Sequence, residues 1–426
     1  MKVWHKLAIV FLIGLIAACG EKQITSYDPE RSYMDKEKEL ITKFILAEDS
    51  SVIELPEGHF LFSQSLILDG KKKVIIRGQG LDKTVLSFKG QTQGAEGIKI
   101  ANCENIVLED FTVEDADGDN IKVSDTDGII FRRVKVAWTG EITEENGAYG
   151  FYPVICNNVI IEECEAQGAS DAGIYVGQST NVVIRNNKAY QNVAGIESEN
   201  SENVAIYGNE AYDNTGGLLI FDLPGLTRQG KNVSVYNNHI HDNNRPNFGV
   251  AGSIVSTIPL GSGLVVLATE NVNIYKNIVA NQKTVNLAII SYEILAALAK
   301  DEEKKDETEL PGGVRGLDQN YKTDAKYNPY PSQITIQENQ FSNEYSIPSL
   351  KSDFGILWLV KLGMEIPDII VDGILPENYL DENGKILPQY RFCIENNGEA
   401  LFVSLDAAND FENFTTDGSD YTCSAL

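Results

Sequence analysis

The sequence is poor in the side chains that bind soft metals and in positive charge. It contains no Cys-x-x-Cys pair, and only four histidines and three methionines occur among its 426 residues. We therefore predict no metal-ligand set and no copper-handling cluster. Acidic residues outnumber basic ones by 62 to 35, which gives a net charge of −27. So acidic a chain argues against nucleic acid and anionic lipid as partners, and against a polyanionic substrate unless local basic groups or a cation intervene.

Instead of extended helical periodicity, the chain carries a repeated motif, Asn-Val-x-Ile-x-x-x-Asn, with small variations. The copies begin at Asn105, Gly128, Asn158, Asn181, Asn203, Asn232, Asn271 and Gln333. The shortest intervals between these starts are 22 and 23 residues, and the surplus in longer intervals is expected to loop out. Apolar and polar residues alternate within each copy, which is typical of strands. A short fixed period of this kind predicts a solenoid.

A second alternating stretch follows in each repeat, for example Gly173 to Val176. Two short strands and turns per repeat predict an all-β fold, a single-stranded right-handed parallel β-helix whose stacked coils share one core. Residues 35–47 have helical spacing, with Leu40 and Phe44 on one side. We expect this helix to cap the N-terminal end, because an open β-helix end exposes a sheet edge.

The asparagines that close the motif are expected to stack as a ladder at a tight turn, in the left-handed conformation. They are Asn187, Asn209, Asn238, Asn277 and Asn339. Cys103 and Cys156 each precede a motif start by two residues and are expected to be small stacked turn residues, and Cys164 falls in the ladder position. The sequence leaves open whether Cys393 and Cys423 form a disulfide.

The first residues are typical of a targeting segment. Lys2 and Lys6 precede an apolar run that ends before Ala17-Ala18-Cys19, which predicts a signal peptide over 1–18. The ending Leu15-Ile-Ala-Ala-Cys19 resembles a bacterial lipobox. The resemblance implies lipidation of Cys19 and tethering in the cell envelope, in the periplasm or on the outer-membrane surface. We expect a tether over 19–34 and a β-helix domain over 35–426, with an insertion at 293–332, where 294–305 has helical spacing, and a C-terminal cap at 404–426.

Aligning the second strands of successive repeats predicts an outward-facing column of Lys122, Tyr152, Tyr175 and Glu197, with Asp171 beside it. Neighbouring coils lie about 4.8 Å apart, so the column would span roughly 15 Å, a few sugar units. A base, an acid and a charge neutraliser are what proton abstraction next to a uronate carboxylate needs. These five residues are the candidate catalytic set. The alternative is a mixed polar ladder that only stabilises the sheet.

Long loops at 138–147, 222–228 and 241–263 are expected to form the walls of a groove beside this column. The residues expected to bind substrate there are Tyr149, Glu199, Asp222, Arg228, His241 and Arg245. His241 is the candidate base and Arg245 the candidate carboxylate clamp. His239 and His241 alternate with Ile240, so both are expected to face one side. Ordinary loop packing is the competing interpretation for each of these residues.

Three longer segments are distinctive: Gly147-Ala-Tyr-Gly-Phe-Tyr-Pro-Val, Gly168-Ala-Ser-Asp-Ala-Gly-Ile-Tyr-Val-Gly and Gly217-Leu-Leu-Ile-Phe-Asp-Leu-Pro-Gly. They resemble a family of bacterial exported parallel β-helix repeat proteins. The resemblance implies the pectate-lyase-like, carbohydrate-binding and sugar-hydrolase β-helix class, which also contains polysaccharide lyases and mannuronan C5-epimerases. The Asp-Pro-His-Asp motif associated with those epimerases is absent, which weighs against that assignment.

Two functions remain open from the sequence. The first is a carbohydrate-active enzyme, a lyase or epimerase on an acidic polysaccharide or, as a variant, a hydrolase. No cofactor is identifiable, although a Ca²⁺ ion among Asp171, Glu197, Glu199 and Asp222 would offset their charge. The second is a non-catalytic surface or periplasmic protein that grips a glycan or a partner. We expect a monomer that binds a polysaccharide, is held at the membrane by its lipid and does not bind nucleic acid.

Overall fold

The computed structural model describes residues 32–295 and 321–423. Within these ranges, parallel strands wind through successive coils into two long sheets, sheet A with 19 strands and sheet B with 11. The predicted parallel β-helix is confirmed. The expected signal peptide, Cys19 and nearly all of the tether lie outside the described residues. The part of the chain that the structure describes contains no helix long and apolar enough to span a membrane.

Sheet A consists of β1 (Val52–Glu54), β2 (Gly58–Leu61), β4 (Ile75–Arg77), β5 (Thr84–Ser87), β7 (Glu104–Glu114), β9 (Asp127–Ala137), β11 (Asn157–Glu162), β12 (Glu165–Gln167), β14 (Thr180–Arg185), β15 (Lys188–Tyr190), β17 (Glu202–Tyr207), β18 (Glu210–Tyr212), β20 (Lys231–Tyr236), β21 (His239–His241), β23 (Glu270–Tyr275), β24 (Ile278–Ala280), β26 (Ser332–Gln337), β27 (Gln340–Ser342) and β29 (Phe392–Glu395). Sheet B consists of β3 (Gln64–Asp69), β6 (Gln93–Ala101), β8 (Ile121–Ser124), β10 (Tyr149–Val154), β13 (Ala172–Gly177), β16 (Ala194–Glu199), β19 (Gly216–Phe221), β22 (Ser262–Leu267), β25 (Val285–Ile290), β28 (Ile369–Val371) and β30 (Phe402–Ser404). Helices α1 (Glu37–Ile45) and α2 (Asp353–Lys361) and short 3-10 segments flank them, the latter at Val255–Thr257, Tyr321–Thr323, Glu377–Tyr379, Pro388–Tyr390, Ala407–Asn409 and Ser419–Tyr421.

A typical coil has three strand segments where the sequence predicted two. The coil formed by β14, β15 and β16 illustrates this arrangement. Asn186 adopts a left-handed conformation, with φ of 56°, and bends the chain between β14 and β15. The repeated motif is sufficient to predict β14. In contrast, β15 has only three residues, too few to show an alternation of apolar and polar residues, so the sequence did not predict it as a separate strand.

The interior of the coils holds one continuous apolar core. Val182 and Ile184 point inward from sheet A, Ile196 points inward from sheet B, and all three are fully or almost fully buried. Each stacks on an apolar residue of the next coil, as Ile196 does on Leu218. At the N-terminal end, α1 buries Leu40 and Phe44 against this core, which confirms the predicted helical cap.

The asparagine ladder is confirmed and extends one coil further than predicted. Asn187 donates its side-chain amide to Asn209 Oδ1 at 2.9 Å, Asn209 does the same to Asn238, and the series continues to Asn397. The expected left-handed conformation, however, belongs to the preceding residue, such as Asn186, rather than to the ladder residue. The amide of each buried ladder residue points along the stack toward the next coil. The left-handed turn at the preceding residue places the side chain in that orientation.

A second buried amide ladder was not predicted. Asn192 donates to Asn214 and Asn214 to Asn243, at 3.0 and 2.9 Å, and Asn243 N–H donates to Gln282 Oε1 at 3.1 Å. This ladder lines the turn that leads into sheet B. Its residues sit outside the repeated motif, and Gln282 replaces Asn in one coil, so the sequence pattern conceals it.

The three cysteines that were expected at turn and ladder positions are buried there. Cys103, Cys156 and Cys164 are free and buried, and Cys164 N–H donates to Asn187 Oδ1 at 2.9 Å, which places it in the ladder. The disulfide that the sequence left open is formed between Cys393 and Cys423.

A second apolar core lies outside the coils and was not predicted. It covers the outer face of sheet B from β13 to β30 and includes Leu219, Val265, Ile258 and Trp358. Trp358, on α2, is fully buried and donates its indole N–H to Thr284 O at 2.8 Å. Residues 292–295 begin a helix, and the rest of the predicted 294–305 helix lies outside the described residues. The outer face of sheet B is therefore open at its N-terminal end and covered further along.

Candidate active site on the outer face of sheet B

The predicted column exists in the expected register. Lys122 pairs with Tyr152, and Tyr175 pairs with Glu197, which in turn pairs with Leu219. The alignment of second strands therefore placed these residues correctly on four successive coils and beyond.

The column is only partly open to solvent, which corrects the expectation of a continuous outward-facing row. The side chain of Lys122 is 29% exposed, whereas Tyr175 and Glu197 are 4% and 2% exposed. Phe248 and Ile254, from the loop between β21 and β22, pack into the same cluster as Tyr175. Residues of this loop thus belong to the apolar cluster that covers the outer face of sheet B. The sequence could not show this cover, because strand periodicity does not encode the direction of a loop.

Three tyrosines meet in this cluster. The ring centroids of Tyr149 and Tyr152 are 4.4 Å apart with the rings 25° from parallel, and Tyr175 lies 4.6 and 5.0 Å from the two. Lys122 Nζ lies 4.7 Å from the centre of the Tyr152 ring. Aromatic rings beside a cation offer a surface on which the apolar face of a sugar ring can stack.

Carboxyl groups lie directly behind the tyrosines. Tyr175 donates its hydroxyl hydrogen to Glu199 Oε1 at 2.8 Å, while Glu197 Oε2 is buried without a hydrogen-bond partner. Burial raises the pKa of Glu197 well above its usual range, and the charge of Asp171 adds to the shift. Burial, together with the charge of Glu199, raises the pKa of Asp171 to about 7. The half-buried Asp171 is thus poised to exchange a proton near neutral pH.

Two acidic residues that sequence reasoning missed face Lys122. Its Nζ lies 3.5 Å from Asp119 Oδ2 and 3.9 Å from Glu96 Oε1. Burial raises the pKa of Asp119 to about 6, even though Lys122 acts in the opposite direction. Asp119 precedes β8, outside the aligned stretch, so only its separation of three residues from Lys122 could have signalled it. Any substrate carboxylate must compete with these two groups for Lys122.

Asp222 and Arg228 hold the loop after β19 in place. Asp222 is buried, accepts a hydrogen bond from Gly230 N–H at 2.7 Å, and has its pKa raised to about 8 by burial. The carbonyl of Arg228 accepts a hydrogen bond from Asn200 Nδ2 at 2.8 Å. The contacts of both residues are those of loop packing, the competing interpretation that the sequence left open.

His241 and Arg245 do not form the expected base and clamp. His241 lies on β21 in sheet A and places Nδ1 2.9 Å from Asp242 Oδ2. Arg245 Nη2 instead donates to Asp213 Oδ2 at 2.8 Å. The expectation that His239 and His241 face one side is confirmed, since their ring centroids are 4.0 Å apart.

The carboxylates expected to hold Ca²⁺ do not converge on one point. Within residues 32–295 and 321–423, the groups of potential donors that lie within 4.8 Å of one another are on sheet A and at the C-terminal disulfide. Asp171, Glu197, Glu199 and Asp222 do not form such a group. We therefore derive no step through a cation at this site.

Comparison with protein families identifies the architecture. The family model for the right handed beta helix region matches residues 73–227 and 141–294, which together span just over half of the chain. The chain belongs to this right-handed β-helix family. The match covers β4 to β25, which include the coils that carry the column and its loops, and it does not include α1 or the C-terminal segments.

Solved β-helix structures resemble the chain at low identity. The A-module of mannuronan C-5 epimerase AlgE4 from Azotobacter vinelandii shares 16% identity, covers 86% of this chain and 92% of its own, and has a TM-score of 0.48. DFA-IIIase from Arthrobacter chlorophenolicus A6 without its lid, in complex with GF2, shares 12% identity over 79% of this chain and 80% of its own (TM-score 0.45). The periplasmic alginate epimerase AlgG shares 14% over 79% and 82% (TM-score 0.40). Comparison with curated proteins gives no match. Similarity at this level carries no argument about activity.

Proposed function

We propose that this β-helix protein acts on a polysaccharide through acid–base chemistry at the mouth of the groove on sheet B. The observation that carries the proposal is Asp171, a half-buried carboxyl group whose pKa is raised to about 7 beside the three-tyrosine surface. A group with a pKa near the working pH both accepts and donates protons effectively. Tyr149 and Tyr152 supply the stacking surface that would hold a sugar ring above it.

The reaction type that best uses these residues is a lyase or epimerase reaction on a uronate. Lys122 neutralises the substrate carboxylate, and the Asp171 carboxylate removes the proton from the adjacent ring carbon. In a lyase, the electron pair then expels the glycosidic oxygen, which takes a proton from Tyr152. In an epimerase, the Tyr152 hydroxyl instead donates a proton to the opposite face of the same carbon. The buried Tyr175 and Glu197 do not contact the sugar. Glu199, which accepts a hydrogen bond from Tyr175, helps to raise the pKa of Asp171.

Hydrolysis of a neutral glycan is the variant that the acidic surroundings favour. Glu96 and Asp119 form ion pairs with Lys122 and so compete with a substrate carboxylate for it. The net charge of −27 also repels polyanions. Glycoside hydrolysis uses two carboxyl groups, one as the acid and one as a base or nucleophile. Asp171 and Asp119, with pKa values raised to different extents, would supply that pair.

The second candidate is a non-catalytic protein that binds a glycan or a partner. It is favoured by the burial of Tyr175 and Glu197, two members of the predicted column that a sugar chain does not reach. Under this hypothesis, Lys122, Tyr152 and Tyr149 form a short binding platform, and the carboxyl groups behind it only pack.

We further propose that the protein works in the bacterial cell envelope as a lipid-anchored monomer. The motif that ends at Cys19 supports lipidation. Incorporation of a clickable fatty acid by the wild-type protein, and its loss in Cys19→Ser, tests the anchor.

A turnover screen of the purified protein tests the proposal. Acidic and neutral glycans are followed by absorbance of unsaturated uronides for a lyase, by NMR for an epimerase, and by new reducing ends for a hydrolase. Turnover of any substrate establishes an enzyme, and the readout identifies the reaction. Binding without turnover, lost in Tyr152→Ala but kept in the sheet A control Tyr207→Ala, supports the binding protein instead.

A further inference from the structure

Sheet A carries a group of potential metal ligands, away from the tyrosine cluster. Glu210, His239 and His241 each offer one donor atom, and these atoms lie within 4.8 Å of one another. His239 and His241 are two residues apart on β21, so they project from the same face of the sheet. Glu210 is the direct neighbour of His239 on β18. Three donors are thus held by two adjacent strands of a stacked and rigid sheet.

The spacing of these donors suits a small divalent ion. His241 Nε2 lies 3.5 Å from Glu210 Oε1. Two ligands of a tetrahedral zinc ion with bonds of about 2.0–2.1 Å are separated by roughly 3.3–3.4 Å. The rings of His239 and His241 stack at 4.0 Å, and a donor nitrogen of the exposed His239 lies within 4.8 Å of the other two donor atoms. The exposed side leaves a fourth position open to solvent.

Neighbouring groups orient the donors as metal sites require. The Asp242 carboxylate can only accept a hydrogen bond, so its 2.9 Å contact with Nδ1 of His241 places the ring hydrogen there. The lone pair of Nε2 then faces Glu210. A ligating histidine held by a carboxylate through its other nitrogen is the usual arrangement around bound zinc. On Glu210, Oε2 lies 3.8 Å from Lys188 Nζ, and Oε1 is left toward His241.

We propose that Glu210, His239 and His241 form a binding site for a late first-row divalent transition-metal ion of the Zn²⁺ class. Two imidazoles and one carboxylate favour such ions over Ca²⁺ and Mg²⁺, which prefer all-oxygen ligands. The sequence offered only a His-x-His pair as a signal, because Glu210 lies 29 residues earlier and meets the pair through strand stacking. The site is on sheet A and is independent of the function proposed for sheet B. Binding there ties two adjacent coils together and stabilises the folded chain.

Titration calorimetry with Zn²⁺, on protein without a polyhistidine tag, tests the site. One ion is expected to bind per chain, with no corresponding binding of Ca²⁺ or Mg²⁺, and Co²⁺ should give the visible absorption of a low-coordinate site. His239→Ala and His241→Ala are expected to weaken Zn²⁺ binding at least 100-fold, and Glu210→Gln to weaken it about tenfold. Asp242→Asn should weaken binding 10- to 100-fold, since the outer carboxylate orients the ligand.

Asp213→Asn is the matched control, because Asp213 occupies the equivalent left-handed turn position one coil earlier and contacts Arg245 instead of a histidine. It should bind Zn²⁺ like the wild type. Circular dichroism verifies folding, and His239→Gln, at an exposed position, decides the matter if His241→Ala unfolds. Absence of Zn²⁺ binding by the wild type, or equal binding by the folded histidine variants, would overturn the proposal.

Discussion

Tyr175 donates a hydrogen bond to Glu199 at 2.8 Å and, through that carboxyl group, influences Asp171 without touching it. The hydrogen bond favours the ionised form of Glu199 against burial, and the resulting charge helps to raise the pKa of Asp171. A buried tyrosine therefore contributes, through Glu199, to the proton affinity of a half-buried acid whose pKa is raised mainly by burial.

Tyr175→Phe should lower the pKa of Asp171. Without the hydroxyl, Glu199 is protonated more readily, and Asp171 loses part of a neighbouring negative charge. If Asp171 is the base, the acidic limb of the profile of kcat/KM against pH is expected to move to lower pH. Tyr190→Phe, which alters a stacked tyrosine on sheet A, should leave the profile in place. A shift of the limb to higher pH would contradict this role of Tyr175.

The raised carboxyl pKa values predict a stability that falls with rising pH. Burial raises the pKa of Asp119, Asp171 and Asp222 to about 6, 7 and 8. Between about pH 4, where unfolded Asp ionises, and pH 8, the folded chain holds more protons than the unfolded chain, so its free energy of unfolding decreases. Burial acts to raise the pKa of Glu162, but hydrogen bonds from Arg185 and Arg132 outweigh it and lower the pKa. Glu162 therefore makes stability depend on pH only below about pH 4.5, and it does not offset the trend between about pH 4 and 8.

Asp222→Asn isolates one such group, because the amide keeps the oxygen that accepts from Gly230. Urea unfolding at pH 5, 6 and 7 should show a slope against pH that is less steep by about 1 kcal/mol per pH unit. Asp127→Asn, at an exposed position at the start of β9, is expected to show the same slope against pH as the wild type. A wild-type free energy of unfolding that rises from pH 5 to 7 would contradict this prediction.

Asn209→Ala should be among the more destabilising single changes in the coils. It removes the oxygen that accepts from both the backbone N–H and the side-chain amide of Asn187. The buried backbone N–H then loses this acceptor, and the side-chain amide keeps only its bond to Ile161 O. The expected loss is roughly 2–4 kcal/mol in the free energy of unfolding, measured by urea denaturation.

Asn203→Gly is the control for the ladder variant. Asn203 belongs to an exposed row of asparagines and has a φ of 58°, a conformation that glycine adopts without strain. Its substitution is expected to cost less than about 1 kcal/mol. Equal losses in the free energy of unfolding for the two variants would show that the buried ladder stabilises the fold no more than the exposed row does.

The sequence predicts features that recur within the repeated motif and misses those that lie outside it. Asn187 and its counterparts recur at a fixed motif position, so their ladder and the register of Lys122 with Tyr152 follow from alignment alone. The second core, with Trp358 on α2, arises from segments that occur once and pack against sheet B after long excursions. The apolar cover near Tyr175 depends on the path of such a loop. Likewise, Glu210 meets His239 only because intervening residues loop out between stacked coils.

The most direct test of the central claim compares glycan turnover by the wild type and by Asp171→Asn across the same substrate panel. Asp171→Asn keeps the shape of the half-buried side chain but cannot exchange a proton. The account predicts that the wild type turns over a glycan, that Asp171→Asn is slower by at least 100-fold, and that glycan binding is retained. Turnover that persists unchanged in Asp171→Asn, or a wild type that binds glycans but converts none, would contradict it.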